Sequence, residues 1–112
     1  MKLFTQEILN KLLRNGVESE TARNKDGATP YHWPVVRLFT PDANATWLLS
    51  EITPDDHNIA FGLCDLGMGE PELGYVDLED LARLRGCLGL PVERDRLFKA
   101  DRSLMAYWEA SR

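Results

Sequence analysis

The sequence predicts an α+β domain in which an antiparallel meander sheet of three to five strands carries helices packed on one face. Two observations lead to this class. Helical periodicity occurs near both ends of the chain, and short β-branched or apolar runs separated by turn-forming residues lie between them. Successive strands joined by short turns pair antiparallel, and helices that flank such a run pack onto the resulting sheet.

The first element is a helix. Thr5 is placed to act as its N-cap, and Glu7 lies in the first turn, where the helix dipole favours an acidic side chain. An apolar stripe with the spacing of one helical face follows, formed by Ile8, Leu9, Leu12 and Leu13. We expect Asn15-Gly16 to end the helix, because both residues tolerate positive φ, and we expect a polar loop with at most a short helical turn at 17–28.

Strands follow where the periodicity changes. Turn-forming clusters at 41–44 and 53–58 separate runs rich in β-branched and apolar residues. The predicted strands are residues 35–40, 46–52, 59–64 and 73–76, with a further edge strand in 92–98. Asp77 is then placed to cap a helix of about nine residues that ends at Gly86, and Ser103 to cap a final helix.

Length and composition indicate a single globular domain over residues 1–112. With 44% hydrophobic and 28% charged residues, the chain resembles ordinary globular proteins and can bury a core without a disulfide or metal. No apolar run is long enough to cross a bilayer, and the N-terminus lacks a signal-peptide core, so we expect a cytoplasmic protein without a membrane partner. Cys64 and Cys87 are interpreted as reduced thiols, with a single bridge as the alternative.

Charge is distributed unevenly along the chain. The net charge is −5, and the segment from Glu51 to Asp80 contains no lysine or arginine, whereas both flanks are mildly basic. Its acidic residues are Glu51, Asp55, Asp56, Asp65, Glu70, Glu72, Asp77, Glu79 and Asp80. If these side chains share a face, they attract basic partners and speed their encounter. The alternative is a set of solvated turns that are acidic without a partner.

No motif assigns a catalytic residue, a cofactor or a metal. The glycines between Gly62 and Gly74 do not have the spacing of a phosphate-binding loop. Asp55-Asp56-His57 offers possible ligand atoms, but adjacent turn residues rarely converge on one metal ion. The tyrosines and tryptophans are interpreted mainly as core residues. Basic residues after Arg83 are interleaved with acidic ones, so we do not expect direct binding to nucleic acid.

The chain resembles a known family over nearly its full length. The stretches that carry the resemblance are 32–41, 45–51, 59–67, 71–76 and 90–95, and the Ala-Phe-Gly-Leu-Cys-Asp-Leu-Gly run at 60–67 is the most specific. The family comprises small bacterial proteins catalogued as domain of unknown function 2958. The family has no established catalytic residues, so the resemblance assigns no catalytic role to any residue of this chain. Its members typically occur on plasmids and integrative elements near conjugation and anti-restriction genes, which implies an accessory or anti-defence role.

Three functional hypotheses follow. The first is an acidic interaction module of a mobile genetic element that binds a basic protein surface through turn residues, with an anti-defence role against restriction or CRISPR systems as its proposed form. Its predicted contact residues are Asp55, Asp56, Glu70 and Glu72. The second, an enzyme or ligand-binding domain, places a site near Asp65, His57 and Cys64. The third is a self-associating structural protein. The segment from Glu51 to Asp80, which contains no lysine or arginine, and the setting that the family resemblance implies favour the first.

Overall fold

Three helices and five strands make up the part of the chain that the structure, a computed structural model, describes, residues 3–27 and 31–112. The elements are α1 (Gln6–Asp26), β1 (Val36–Phe39), β2 (Thr46–Ile52), β3 (Ile59–Asp65), β4 (Glu72–Asp77), α2 (Leu78–Arg83), β5 (Glu93–Arg94) and α3 (Leu104–Ser111). Their succession is the one predicted from the sequence.

The five strands form one antiparallel sheet in the spatial order β4-β3-β2-β1-β5. Strands β1 to β4 follow one another as a meander, and β5 pairs with the outer side of β1, where Leu38 lies opposite Arg94. The predicted α+β class, the meander and the additional edge strand are thereby confirmed. β2 is central and β4 and β5 are the two edges.

Helices lie on both faces of this sheet. Successive residues of β2 point to opposite faces, and the strand is apolar at consecutive positions. Trp47 and Leu49 therefore pack in one cluster with Leu12 of α1, while Leu48 packs in a second cluster with Leu104 of α3. α2 joins the first cluster through its buried leucine. The expected one-face arrangement thus holds for α1 and α2, which share the α1 face, whereas α3 covers the opposite side, the α3 face.

Helix α1 is longer than predicted. It continues through Asn15 and Gly16 to Asp26 and ends at Gly27, which has a positive φ of 71°. The prediction that Asn15-Gly16 ends the helix is wrong, because tertiary contacts at these residues favour its continuation. The Asn15 side chain donates a 2.9 Å hydrogen bond to the Ser50 carbonyl, and Gly16 lies against the Ile52 carbonyl. The end of the predicted loop, residue 28, lies outside the described residues.

The other helix starts agree with the sequence. Asp77 caps α2 by accepting a hydrogen bond from the Asp80 N–H, and Ser103 caps α3 by accepting one from the Ala106 N–H. α2 has 6 residues and stops well before Gly86, so the predicted length of about nine is wrong. Leu84 has extended backbone, and Arg85 then pairs with Pro91 in an isolated bridge, which closes the connection to β5.

Candidate interaction face

The four predicted contact residues lie at two different ends of the sheet. Asp55 and Asp56 are exposed in the turn between β2 and β3, whereas Glu70 and Glu72 are exposed where the chain enters β4. The 7 residues of β3 lie between the two pairs, a separation of about 23 Å along the strand. The acidic segment therefore presents two acidic ends and not one continuous face.

Carboxylates at the first end are engaged in building the turn and the start of α2. Asp56 accepts a hydrogen bond from the Asn58 N–H, and the Asn58 side chain donates in turn to Asp77 at 2.8 Å. This bond from Asn58, followed by the N-cap bond from Asp80, lowers the pKa of Asp77 below its usual range. These contacts explain part of the acidic composition by local structure alone.

The residues of the alternative site are not brought together. His57 precedes β3 and Asp65 ends it, so the full strand separates them. Cys64 and Asp65 are adjacent in β3 and point to opposite faces. Burial raises the pKa of the Cys64 thiol, and the charge of Glu72 raises it further, which makes this thiol a weak nucleophile. Asp65 itself accepts a 2.9 Å hydrogen bond from the Gly67 N–H in the following turn.

The described part of the chain contains neither a metal-binding cluster nor a helix that could span a membrane. Within residues 3–27 and 31–112, no three histidine, cysteine or acidic side chains come close enough to hold a metal ion. No helix in these same ranges combines the length and the apolar character needed to cross a membrane.

A groove of about 810 Å³ runs between α3 and the start of β4. We call it the α3 groove. It is lined by Tyr31, Gly69, Glu70, Pro71, Glu72, Leu73, Met105, Trp108 and Arg112. The indole N–H of Trp108 donates a 3.1 Å hydrogen bond to the Pro71 carbonyl, which fixes α3 to the loop before β4. The groove thus brings apolar side chains of α3 and β4 together with two of the predicted contact residues, Glu70 and Glu72.

A row of aromatic rings continues from this groove across the α3 face. Tyr31 borders the groove, its ring centre lies 6.5 Å from that of Phe61, and Phe61 meets Tyr75 edge to face at 5.1 Å. Tyr75 is 61% exposed, and Tyr31 and Trp33 are also exposed, whereas Trp47 is buried. The interpretation of the aromatic residues as core is therefore right for Trp47 and wrong for Tyr31, Trp33 and Tyr75.

Glu51 lies at the inner end of the aromatic row. Its side chain is carried by β2, beside a shift of register between Leu49 and Glu51, and the residue is only 7% exposed. The carboxylate accepts a 3.0 Å hydrogen bond from the Ser19 hydroxyl of α1. Burial raises the pKa of Glu51, an effect that the Ser19 hydrogen bond and then the positive charges of His32 and Arg23 oppose.

A concavity of about 250 Å³ opens onto this carboxylate, and we call it the Glu51 pocket. It is lined by Arg23, Tyr31, Glu51, Phe61 and Tyr75. From the sequence alone, Glu51 is one of the nine acidic residues of the segment from Glu51 to Asp80 and has no role of its own. The available signal was a glutamate within the otherwise apolar run of β2, where a charged residue is expected to be paired or functional.

The outer edge of β4 completes the candidate site. The Leu78 N–H donates to the Asn58 carbonyl at 2.8 Å. Asn58 and Leu78 are therefore a hydrogen-bonded pair, in which the backbone groups of Leu78 point toward β3. Because such pairs alternate along antiparallel strands, the backbone N–H and C=O of Leu73 and Tyr75 point outward. No described strand lies beyond β4, so this edge is open to an incoming strand.

The arrangement thus combines an open strand edge, a groove lined by both apolar and charged residues, exposed aromatic rings and acidic side chains, which are groups that can bind another molecule. No curated protein and no solved structure matches this chain. The model of one family, described as "Protein of unknown function (DUF2958)", matches residues 3–112. The chain belongs to this DUF2958 family of proteins of unknown function.

Proposed function

We propose that this protein is an acidic interaction module that binds an extended, basic segment of another protein along the outer edge of β4. The observation that carries the proposal is the position of the open edge beside the α3 groove, with Glu70 and Glu72 at its entrance. Strand addition supplies main-chain hydrogen bonds, and alternate side chains of the added strand supply specificity.

Charge complementarity selects a basic occupant. The segment that builds β3, β4 and the start of α2 contains no lysine or arginine, so its field attracts cations and repels acidic strands. Glu70 and Glu72 are the contact residues at the edge. Asp55 and Asp56 lie on the turn between β2 and β3, and this turn is separated from the outer edge of β4 by β3. We therefore propose that they attract the basic partner at long range and do not contact it.

The partner class that we propose is a host defence nuclease with a basic nucleic-acid groove, of the restriction or CRISPR type. This part of the proposal is supported by the acidic segment and by the setting that the family resemblance implies, mobile elements with anti-restriction genes. A panel of purified nucleases tests it: binding should be competed by the nuclease's own nucleic acid. Binding that persists unchanged at saturating nucleic acid contradicts it.

A peptide titration tests the binding mode directly. Isotope-labelled protein is titrated with a short peptide in which arginine alternates with valine, and with a control in which glutamate replaces arginine. We expect amide shifts and slowed hydrogen exchange at Leu73 and Tyr75 with the basic peptide only. Reversing the charge of Glu70 and Glu72 together should weaken binding by about tenfold, while reversal of Asp55 and Asp56 should change it by less than about threefold.

The control pair is matched in charge and exposure, because both pairs are exposed acidic residues, one before β3 and the other at the start of β4. Since Asp56 also accepts a hydrogen bond in its turn, thermal unfolding should show that the control variant stays folded. Equal losses for the two pairs would indicate a diffuse electrostatic attraction. Shifts confined to residues away from β4 would exclude strand addition at this edge.

A further inference from the structure

We propose that the Glu51 pocket is an anchoring site for one cationic side chain, an arginine or a lysine, of the bound segment. The inference rests on the proposed function and names the chemistry that the α3 face recognises. It concerns a pocket separate from the acidic rim formed by Glu70 and Glu72.

The buried carboxylate of Glu51 is incompletely paired. Glu51 is 7% exposed, and Ser19 is the hydrogen-bond donor found for it among the described residues. A hydroxyl supplies a hydrogen bond but no counter-charge. Arg23 and His32, whose charges act on Glu51, form no ion pair with it among the described residues, and a buried carboxylate that is not fully paired is costly. The ion pairs found within the described ranges are Arg37–Asp95, Arg83–Asp80 and Arg102–Asp101, and none of them includes Glu51.

The wall of the Glu51 pocket is formed largely by aromatic side chains. Tyr31, Phe61 and Tyr75 line the space in front of the carboxylate, with ring centres 5.1 Å and 6.5 Å apart along the row. The faces of such rings attract an ammonium or guanidinium group, and the attraction grows when the cation is desolvated. A carboxylate at the base and aromatic rings at the wall form the combination that binds an organic cation.

The register of β2, β3 and β4 also supports a cationic anchor at this pocket. Glu51 lies opposite Phe61, and Phe61 lies opposite Tyr75, so the three residues form one cross-strand row on the α3 face. If an extended segment of the partner pairs with the outer edge of β4, one of its side chains becomes the next member of this row and lies beside Tyr75. With strands about 4.8 Å apart, that residue stands about 14 Å from the Glu51 backbone. An extended arginine or lysine and the glutamate side chain span this distance together.

Arg23 makes the proposal sharply testable, because this exposed cation of α1 lines the same pocket. A cationic guest competes with Arg23 for the Glu51 charge, so the Arg23→Gln variant should bind the guest more tightly. An anionic guest would instead use Arg23, and the same variant would bind it more weakly. The direction of the Arg23→Gln effect therefore reports the charge of the ligand.

The experiment measures binding of defined probes by chemical-shift titration of the full chain. The probes are the acetylated amides of arginine, lysine and citrulline, the last being a neutral analogue of arginine. We expect arginine or lysine amide to shift Glu51 and Tyr75 resonances and citrulline amide to leave them in place. The Glu51→Gln variant should lose about tenfold or more in affinity for the cation, and Arg23→Gln should gain about threefold.

Two controls keep the outcome interpretable. Glu51→Gln keeps the shape of the side chain and an acceptor for Ser19, so thermal unfolding should show an intact fold. Tyr75→Leu removes an exposed ring and should also weaken cation binding. Equal binding of citrulline and arginine amides, unchanged affinity in Glu51→Gln, or weaker binding in Arg23→Gln would each overturn the inference.

The arginine–valine peptide distinguishes the two proposals. If it binds wild type and Glu51→Gln equally well, the anchoring pocket is refuted while the interaction module stands. If it binds neither protein, both proposals fail together.

Discussion

The Ser19 hydroxyl of α1 donates a hydrogen bond to the buried carboxylate of Glu51 on β2, at 3.0 Å. This contact joins the second half of α1 to the central strand at the point where the α3 face opens into the Glu51 pocket. Burial of this carboxylate makes the stability of the protein depend on pH, because burial disfavours the ionised form of Glu51, and the Ser19 hydrogen bond opposes this effect.

The first prediction concerns pH. The folded protein raises the pKa of Glu51, so between the unfolded and the folded pKa the folded state binds more protons than the unfolded state. The contribution of Glu51 to the free energy of unfolding is therefore largest below the unfolded pKa and is lost as the pH rises through the folded pKa. Glu51→Gln should remove this loss and raise the melting temperature at neutral pH by a few degrees.

Urea unfolding of wild type and Glu51→Gln across the acidic and neutral range measures the effect. Ser19→Ala is the matched control, since it leaves the carboxylate buried without its donor and should cost about 1 kcal/mol at neutral pH. The groups that face Glu51 include His32 and Arg23, so Arg23→Gln should steepen the pH dependence. Identical pH profiles for wild type and Glu51→Gln would contradict the prediction.

The second prediction concerns Gly16 in the middle of α1. A Cβ atom at this position would overlap the carbonyl oxygen of Ile52, so the helix and β2 would have to separate. Gly16→Ala should gain about 1 kcal/mol in helix propensity and still destabilise the domain by about 2–3 kcal/mol. Val17→Ala, one residue further on and 53% exposed, is the control and should change stability by less than about 0.5 kcal/mol. A more stable Gly16→Ala protein would refute the close contact.

Gly16 and Thr5 show which parts of the fold the sequence could predict. Thr5 is confirmed as the N-cap of α1, because its hydroxyl accepts a hydrogen bond from the Ile8 N–H only three residues away. The effect of Gly16 depends on Ile52, which is distant in the sequence, and the same residue type is the usual signal for a helix end. Caps and strands rest on local chemistry, whereas the length of α1 rests on packing against β2.

The candidate site divides in the same way. Glu70 and Glu72 were predicted as contacts from their place on a turn, and they line the α3 groove. The Glu51 pocket could not be predicted, since it requires the register that aligns Glu51 with Phe61 and Tyr75. The open edge of β4 can be recognised only once the strand order is known. The separation of His57 from Asp65, in contrast, already follows from the predicted strand at 59–64 that lies between them.

The third prediction concerns Asp42, in the turn between β1 and β2. One of its carboxylate oxygens accepts hydrogen bonds from the Leu88 N–H at 2.7 Å and the Leu90 N–H at 3.2 Å, and the other lies against Gly86. The turn thereby holds the connection between α2 and β5. Asp42→Ala should destabilise the domain by about 1–3 kcal/mol, because two backbone donors lose their acceptor.

Asp42→Asn is the matched control and should cost less, since its amide oxygen can take the place of the accepting carboxylate oxygen and keep both bonds. Hydrogen exchange measures the local effect: the Leu88 and Leu90 amides should exchange faster in Asp42→Ala, with amides of β3 changing only as far as global stability falls. Unaltered exchange at Leu88 and Leu90 would show that the connection does not depend on this carboxylate.

The fourth prediction concerns Trp108, whose indole N–H holds α3 to the Pro71 carbonyl. Trp108→Phe keeps an aromatic ring against the second apolar cluster and removes the donor, so it should cost about 1 kcal/mol in the free energy of unfolding. Because Pro71 directly precedes β4, release of this contact also loosens one wall of the α3 groove. We therefore expect weaker binding of the arginine–valine peptide, with a faster dissociation rate as the main change.

Met105 lines the same groove without a polar contact, so Met105→Leu should leave the dissociation rate within about twofold of wild type. Equal dissociation rates for Trp108→Phe and wild type would separate the α3 groove from the binding site and leave the edge of β4 to account for binding alone.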